Sequence, residues 1–164
     1  MINKIVVGSD GSEQAQHAVA FAGELARQLH AEVVLVHVVG QFPPAIASAG
    51  GYMMYVPQDV VDESREALEQ RVSTEFCRPL QDAQVPYRFE VREGWAPREI
   101  AAVASEAGAQ VIVVGTRGLH ALGELFLGST SHALTHHTTV PLIVVPEASR
   151  SKMARPVARA AARV

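Results

Sequence analysis

Val111-Ile112-Val113-Val114-Gly115-Thr116-Arg117-Gly118 is followed by nine residues, Leu119 to Leu127, and then by Gly128-Ser129-Thr130. The opening run is short, continuous and β-branched, as a strand covered on both faces must be. It opens into a glycine-bounded loop that feeds the start of a helix. Unpaired N–H groups and the helix dipole both favour an anion at that end. The Ser129 and Thr130 hydroxyls add donors, and each bond to a charged phosphate oxygen is worth about 1.5–3 kcal/mol. Arg117 adds a fork-shaped cation suited to phosphate. A buried parallel strand leading to a phosphate-binding turn predicts an α/β fold.

Working outward, Ile2–Val7, Val33–Val39 and Leu142–Val145 are similar apolar runs. Tyr87–Arg92 alternates instead, which predicts an edge strand with one wet face. Helical patterns separate the runs. Ser12 caps a helix whose apolar face is Ala15, Ala18, Val19, Ala22, Leu25, Ala26 and Leu29. A second helix runs from Asp59 to about Arg78, where Pro79 is expected to end or kink it. A third opens at Pro97 and stops at Gly108, and a fourth follows Gly128-Ser129 and ends near His137. The order β-α-β-loop-α-β-α-β-α-β implies a doubly wound parallel sheet with helices on both faces. Ligands of such sheets sit beyond the carboxyl ends of the strands. Gly40–Pro57 is expected to be a long loop, a lid or contact segment or simply disordered.

The 164 residues suit one domain, at 48% apolar and 19% charged. Apolar runs fall well below the ~18 residues of a membrane span. Ile5–Val7 is too short for a signal-peptide core, so a cytoplasmic location is expected. Cys77 is the single cysteine, which precludes an internal disulfide and fits a reducing compartment with a buried or half-buried thiol. Charge is uneven. Residues 1–146 carry nine basic and 16 acidic side chains, a net of −7, whereas residues 147–164 carry five basic and one acidic, a net of +4. An acidic body argues against nucleic-acid binding through a basic face. The tail is expected to be a disordered, solvated extension, or a contact for nucleic acid, membrane or an acidic partner.

Two familiar phosphate signatures are excluded. Gly123 to Thr130 has Walker A spacing, but Ser129 stands where that motif needs lysine, and no strand is followed by G-x-G-x-x-G. His132 and His136 have the spacing of a metal pair without an evident third ligand; His37 is expected to be a satisfied core or rim residue, and Trp95 to pack under the strand–helix junction.

G-x-x-G, nine residues and G-S resemble the ATP-binding signature of the universal stress protein family, matched here at Gly115, Gly118, Gly128 and Ser129. I-V-V-G-S-D-G-S-E resembles that family's first strand and loop, Val33–Val39 with His37 its second strand, and Glu93–Ile100 its third strand-to-helix junction. The resemblance spans about Ile2 to Pro146. It implies a five-stranded sheet in the order 3-2-1-4-5, of the adenine-nucleotide alpha-hydrolase type.

Residue by residue, it puts Gly8 and Asp10 at the nucleotide, Val38 against the adenine, and Gly115, Thr116, Arg117, Gly118, Gly128, Ser129 and Thr130 around ribose and phosphates. On the residues alone, Asp10 is either a ligand carboxylate or a turn and cap residue. The implied ligand is ATP, or AMP or ADP, with Mg²⁺ or Mn²⁺ reaching Asp10 through the phosphates. The implied activity is nucleotide binding with at most slow hydrolysis. A homodimer through the Leu142–Val145 edge is expected. The competing functions are a nucleotide-free dimeric interaction module and an adenylyl-transfer enzyme. The latter class resembles itself in a Ser-Gly-Gly-rich first loop or a paired His-Gly motif, where this chain has Gly8-Ser9-Asp10-Gly11.

Overall fold

A computed structural model describes residues 1–40, 47–49, 52–54, 58–116 and 128–146. Its elements are β1 (Lys4–Gly8), α1 (Glu13–Leu29), β2 (Glu32–Val39), β3 (Ala47–Ala49), β4 (Tyr52–Met54), α2 (Gln58–Arg71), a π-helical turn (Val72–Phe76), α3 (Arg78–Asp82), β5 (Tyr87–Glu93), α4 (Ala96–Ala107), β6 (Val111–Gly115), α5 (Ser129–His137) and β7 (Leu142–Val145).

The main sheet has five strands in the order β5-β2-β1-β6-β7. Every pairing in it is parallel, with Val6 opposite both Val34 and Ile112. This is the 3-2-1-4-5 order that the resemblance implied. Parallel pairing forces a crossover between successive strands, and the crossover helices cover both faces. On one face Ile5, Val7, Val33, Leu35 and Val113 meet Ala18, Val19 and Ala22 of α1, Phe76 of the π-turn and Leu80 of α3. On the other face Val6, Val34, Val36, Ile112 and Val114 meet Ile100, Val103 and Ala104 of α4 and Leu134 of α5. Strand residues alternate between the two cores, which is why these runs are apolar throughout.

Local signals explain most boundaries. The Ser12 hydroxyl accepts a hydrogen bond from Ala15 N at 3.2 Å and caps α1. Pro97 lies in the first turn of α4, and Gly108 closes that helix in the left-handed conformation. Leu29, assigned to the apolar face of α1, is instead 38% exposed.

The second helix also departs from expectation. It does not run through to a stop at Pro79. A π-turn interrupts it at Val72, and Pro79 sits in the first turn of the new helix α3. A proline lacks only an N–H that a first turn leaves unpaired anyway, so Pro79 starts a helix here rather than ending one.

Within the long loop, β3 and β4 pair antiparallel, Ser48 opposite Met53, where no strand was expected. The remainder of that loop and the basic tail from residue 147 lie outside the described residues.

Candidate functional site

In the order β5-β2-β1-β6-β7 the chain winds outward from β1 to one side and then crosses to β6 on the other. β1 and β6 therefore flank the switch point, where diverging connections leave a crevice. Val7 is in register with Val113, so Ser9 and Gly115 leave the sheet beside each other, about one strand spacing of ~4.8 Å apart.

The turn after β1 is tightly tied. Ser9 N donates to Val36 O at 3.0 Å. The Ser9 hydroxyl accepts from Gly11 N at 3.3 Å, and Asp10 Oδ1 accepts from Ser12 N at 3.0 Å. Asp10 thus forms the local turn that presents it, and it remains half-buried at the rim rather than sinking into the core. The turn role and a ligand role are compatible, because a carboxylate has two oxygens and several lone pairs. Gly11 has φ +79°, and Phe76 lies directly behind it.

The turn after β6 is tied in a comparable way. Thr116 N donates to Val145 O at 3.0 Å, Gly128 N donates to Thr116 O, and His132 N donates to Gly128 O at 2.9 Å. Gly128 caps α5 without a side-chain hydrogen bond. The N–H groups of the first turn find no acceptor within the helix itself. Ser129 is exposed and Thr130 half-buried. Ser131, not singled out in the sequence, is 2% exposed, and its hydroxyl donates to Gly128 O at 2.9 Å, with Thr116 O at 3.4 Å. It ties the glycine to the strand end. The signal was a third hydroxyl in Ser129-Thr130-Ser131, one position beyond the quoted motif.

Gly8, Asp10, Gly115, Thr116, Gly128, Ser129 and Thr130 are thus gathered on the carboxyl rim at the ends of neighbouring strands. Arg117 and Gly118 lie outside the described residues. Gly8 also has a packing reason to be glycine. A Cβ there would come within 2.8 Å of Ile100 Cδ1. Val38 sits on the opposite face of β2 from His37 and packs, half-buried, against the α4 core.

Trp95 does not pack under the junction as expected. It is 52% exposed, with its ring edge-on to His137 at a centroid distance of 4.8 Å. It occupies the extended cap position of α4, which directs it away from the core, and Pro97 is the buried residue there. The His132 and His136 rings stand 5.3 Å apart on an exposed helix face. Among the described residues, no three His, Cys, Asp or Glu side chains converge as a metal site.

The sequence profile described as the Universal stress protein family matches residues 1–146. Universal stress protein YxiE of Bacillus subtilis is 33% identical over 152 residues, covering 88% of this chain and 99% of that protein. A crystal structure of a universal stress protein family member from Burkholderia pseudomallei superposes with a TM-score of 0.64 at 28% identity, covering 88% of this chain and 96% of that one. The universal stress protein of Archaeoglobus fulgidus in complex with dAMP superposes with a TM-score of 0.58 at 24% identity, covering 88% of this chain and 99% of that one.

Proposed function

Because this chain belongs to the universal stress protein family, we propose that it is an adenine-nucleotide-binding member, holding ATP, or AMP or ADP, at the carboxyl rim between β1 and β6. One observation carries this reading. The Ser9–Gly11 turn and the glycine-capped N-terminus of α5 lie at adjacent strand ends at the switch point, which supports a site where a carboxylate and a helix N-terminus share one rim. Such an N-terminus suits phosphate, and Val38 offers an apolar contact to a base. A protein of the same fold is described in complex with dAMP.

Arg117 and Gly118, by their place in the motif, would complete the phosphate cradle. Mg²⁺ or Mn²⁺ would join through Asp10 and the phosphate oxygens, in keeping with the few protein ligands magnesium needs when phosphate supplies the rest. Among the described residues the rim includes no lysine and no second carboxylate beside Asp10, which supports hydrolysis that is slow at most. A turnover on the order of 1 s⁻¹ or faster would contradict this. The nucleotide then acts as a ligand that stabilises a dimer rather than as fuel.

The sheet edges support self-association through β7. At the β5 edge, Arg88 pairs with Glu32 at 3.6 Å and with Glu90, and Arg92 pairs with Glu90 and Glu106, each at 2.6 Å. Charges of this kind discourage strand addition. The β7 edge carries Leu142, Ile143 and Val144, all half-buried, and suits pairing with a second copy. The cytoplasm is the setting proposed for the protein, where Cys77 stays reduced.

The decisive experiment extracts nucleotide from the purified protein, identifies it by mass, and follows melting with added ATP and AMP. At a concentration 100 times Kd, a ligand selective for the native state adds about 2.7 kcal/mol. Neither co-purified nucleotide nor a melting shift would leave the dimeric interaction module as the better reading.

A further inference from the structure

His37 is the one ring of β2 that reaches across to the turn after β1. Its Nδ1 lies 2.8 Å from Ser9 O. A carbonyl oxygen only accepts, so Nδ1 carries a proton and donates it to Ser9 O. Ser9 is thereby held on both sides by neighbouring residues of β2. Its N–H goes to the Val36 carbonyl at 3.0 Å, and its carbonyl goes to the His37 ring. This is the peptide at which β1 leaves the sheet, immediately before Asp10.

The ring is itself held. Phe76 meets it edge-on, centroids 5.2 Å apart with planes at 73°, and Phe76 is buried at 3% exposure. Phe76 ends the π-turn Val72–Phe76, and the same ring backs Gly11. One aromatic side chain therefore supports the turn from beneath at Gly11 and fixes the imidazole that grips it at Ser9. A π-turn inside a helix carries a backbone cost and persists where the geometry it gives is used.

We propose that His37 is a positioning residue for the nucleotide site, which locks the Ser9-Asp10-Gly11 turn through the Ser9 carbonyl so that the Asp10 carboxylate is aimed at the rim before ligand arrives. The proposal rests on the rim being the nucleotide site. His37 does not touch the ligand. It lies on the face of β2 opposite Val38, and acts through Ser9.

The test compares His37→Ala with His37→Asn, whose side-chain amide restores an N–H donor near the Nδ1 position. Titration of the full chain with Mg-ATP should show about tenfold weaker binding for His37→Ala, the worth of one hydrogen bond in this setting, and a loss within about threefold for His37→Asn. Amide hydrogen exchange at Ser12, whose N–H is held by Asp10, should quicken in His37→Ala without ligand and stay near wild type in His37→Asn. A merely packing role would make both variants alike in both readouts. Wild-type affinity together with wild-type Ser12 exchange in His37→Ala would overturn the proposal. If wild-type protein binds no adenine nucleotide, the reading of the site fails, and Ser12 exchange alone then decides whether His37 holds the turn.

Discussion

A Cβ placed on Gly11 would lie 2.2 Å from Phe76 Cζ. No side-chain rotation relieves this, because the ring is buried beneath the turn, and the φ of +79° is itself unfavourable to an L-residue. Gly11→Ala is expected to cost about 2–4 kcal/mol, strain and overpacking together. Phe76→Leu should cost less in the Gly11→Ala background than in wild type. Urea unfolding of the four proteins gives the coupling, and strictly additive effects would contradict the contact.

Gly8 offers a milder contrast. Its Cβ would meet the far end of Ile100 at 2.8 Å, and an isoleucine tip can move. Gly8→Ala is expected to lose about 1–2 kcal/mol, with Ile100→Val costing less on that background than alone. A Gly8→Ala protein as stable as wild type would mean that Ile100 already has room.

Cys77 is fully buried, and burial pushes its thiol up to about 11. The thiolate is the nucleophile, so iodoacetamide near neutral pH should leave the native protein unmodified and label it completely in denaturant. Labelling of native protein at the rate of a free peptide would show that the π-turn opens readily.

Burial pulls the Glu90 carboxyl upward, but hydrogen bonds from Arg88 and Arg92 outweigh it and leave the net shift downward. A carboxyl depressed in the folded state contributes stability above its unfolded pKa, and that contribution disappears as pH falls through the folded value. The stability difference between wild type and Glu90→Gln should therefore shrink from about pH 6 to about pH 3. A difference that is constant, or grows toward acid, would refute the assignment.

Ile143 is the central apolar residue of the β7 edge and faces the α1 side of the sheet. Ile143→Lys should convert a dimer into a monomer on a sizing column, whereas Glu90→Gln at the opposite edge should leave the dimer intact. An unchanged oligomer in Ile143→Lys would rule out β7 as the contact.

Much of this architecture was legible because its signals are local. The Val-rich runs, the Ser12 cap and the Pro97–Gly108 bracket each depend on a few neighbouring residues, and the strand order followed from the family resemblance. Three features were not legible, since distant packing decides them. Pro79 looks like a stop until the preceding π-turn makes it a start. Gly11 looks like a turn glycine until Phe76, 65 positions further along the chain, comes to lie behind it. His37 looks like a rim histidine until Ser9 is placed against it. Gly8, Gly115 and Gly128 were legible as glycines at strand ends; the groups that hold the β1 turn still were not.

The connections after β2 and after β6 both leave the carboxyl end of the sheet, whereas those after α1, α3, α4 and α5 return at the other end. The turn after β1 also leaves at the carboxyl end but is backed by Phe76 and tied to β2, so it has little latitude. The segment that departs from Val39 is freer: descendants of this sequence can lengthen, shorten or recompose it without renegotiating the packing of a single strand.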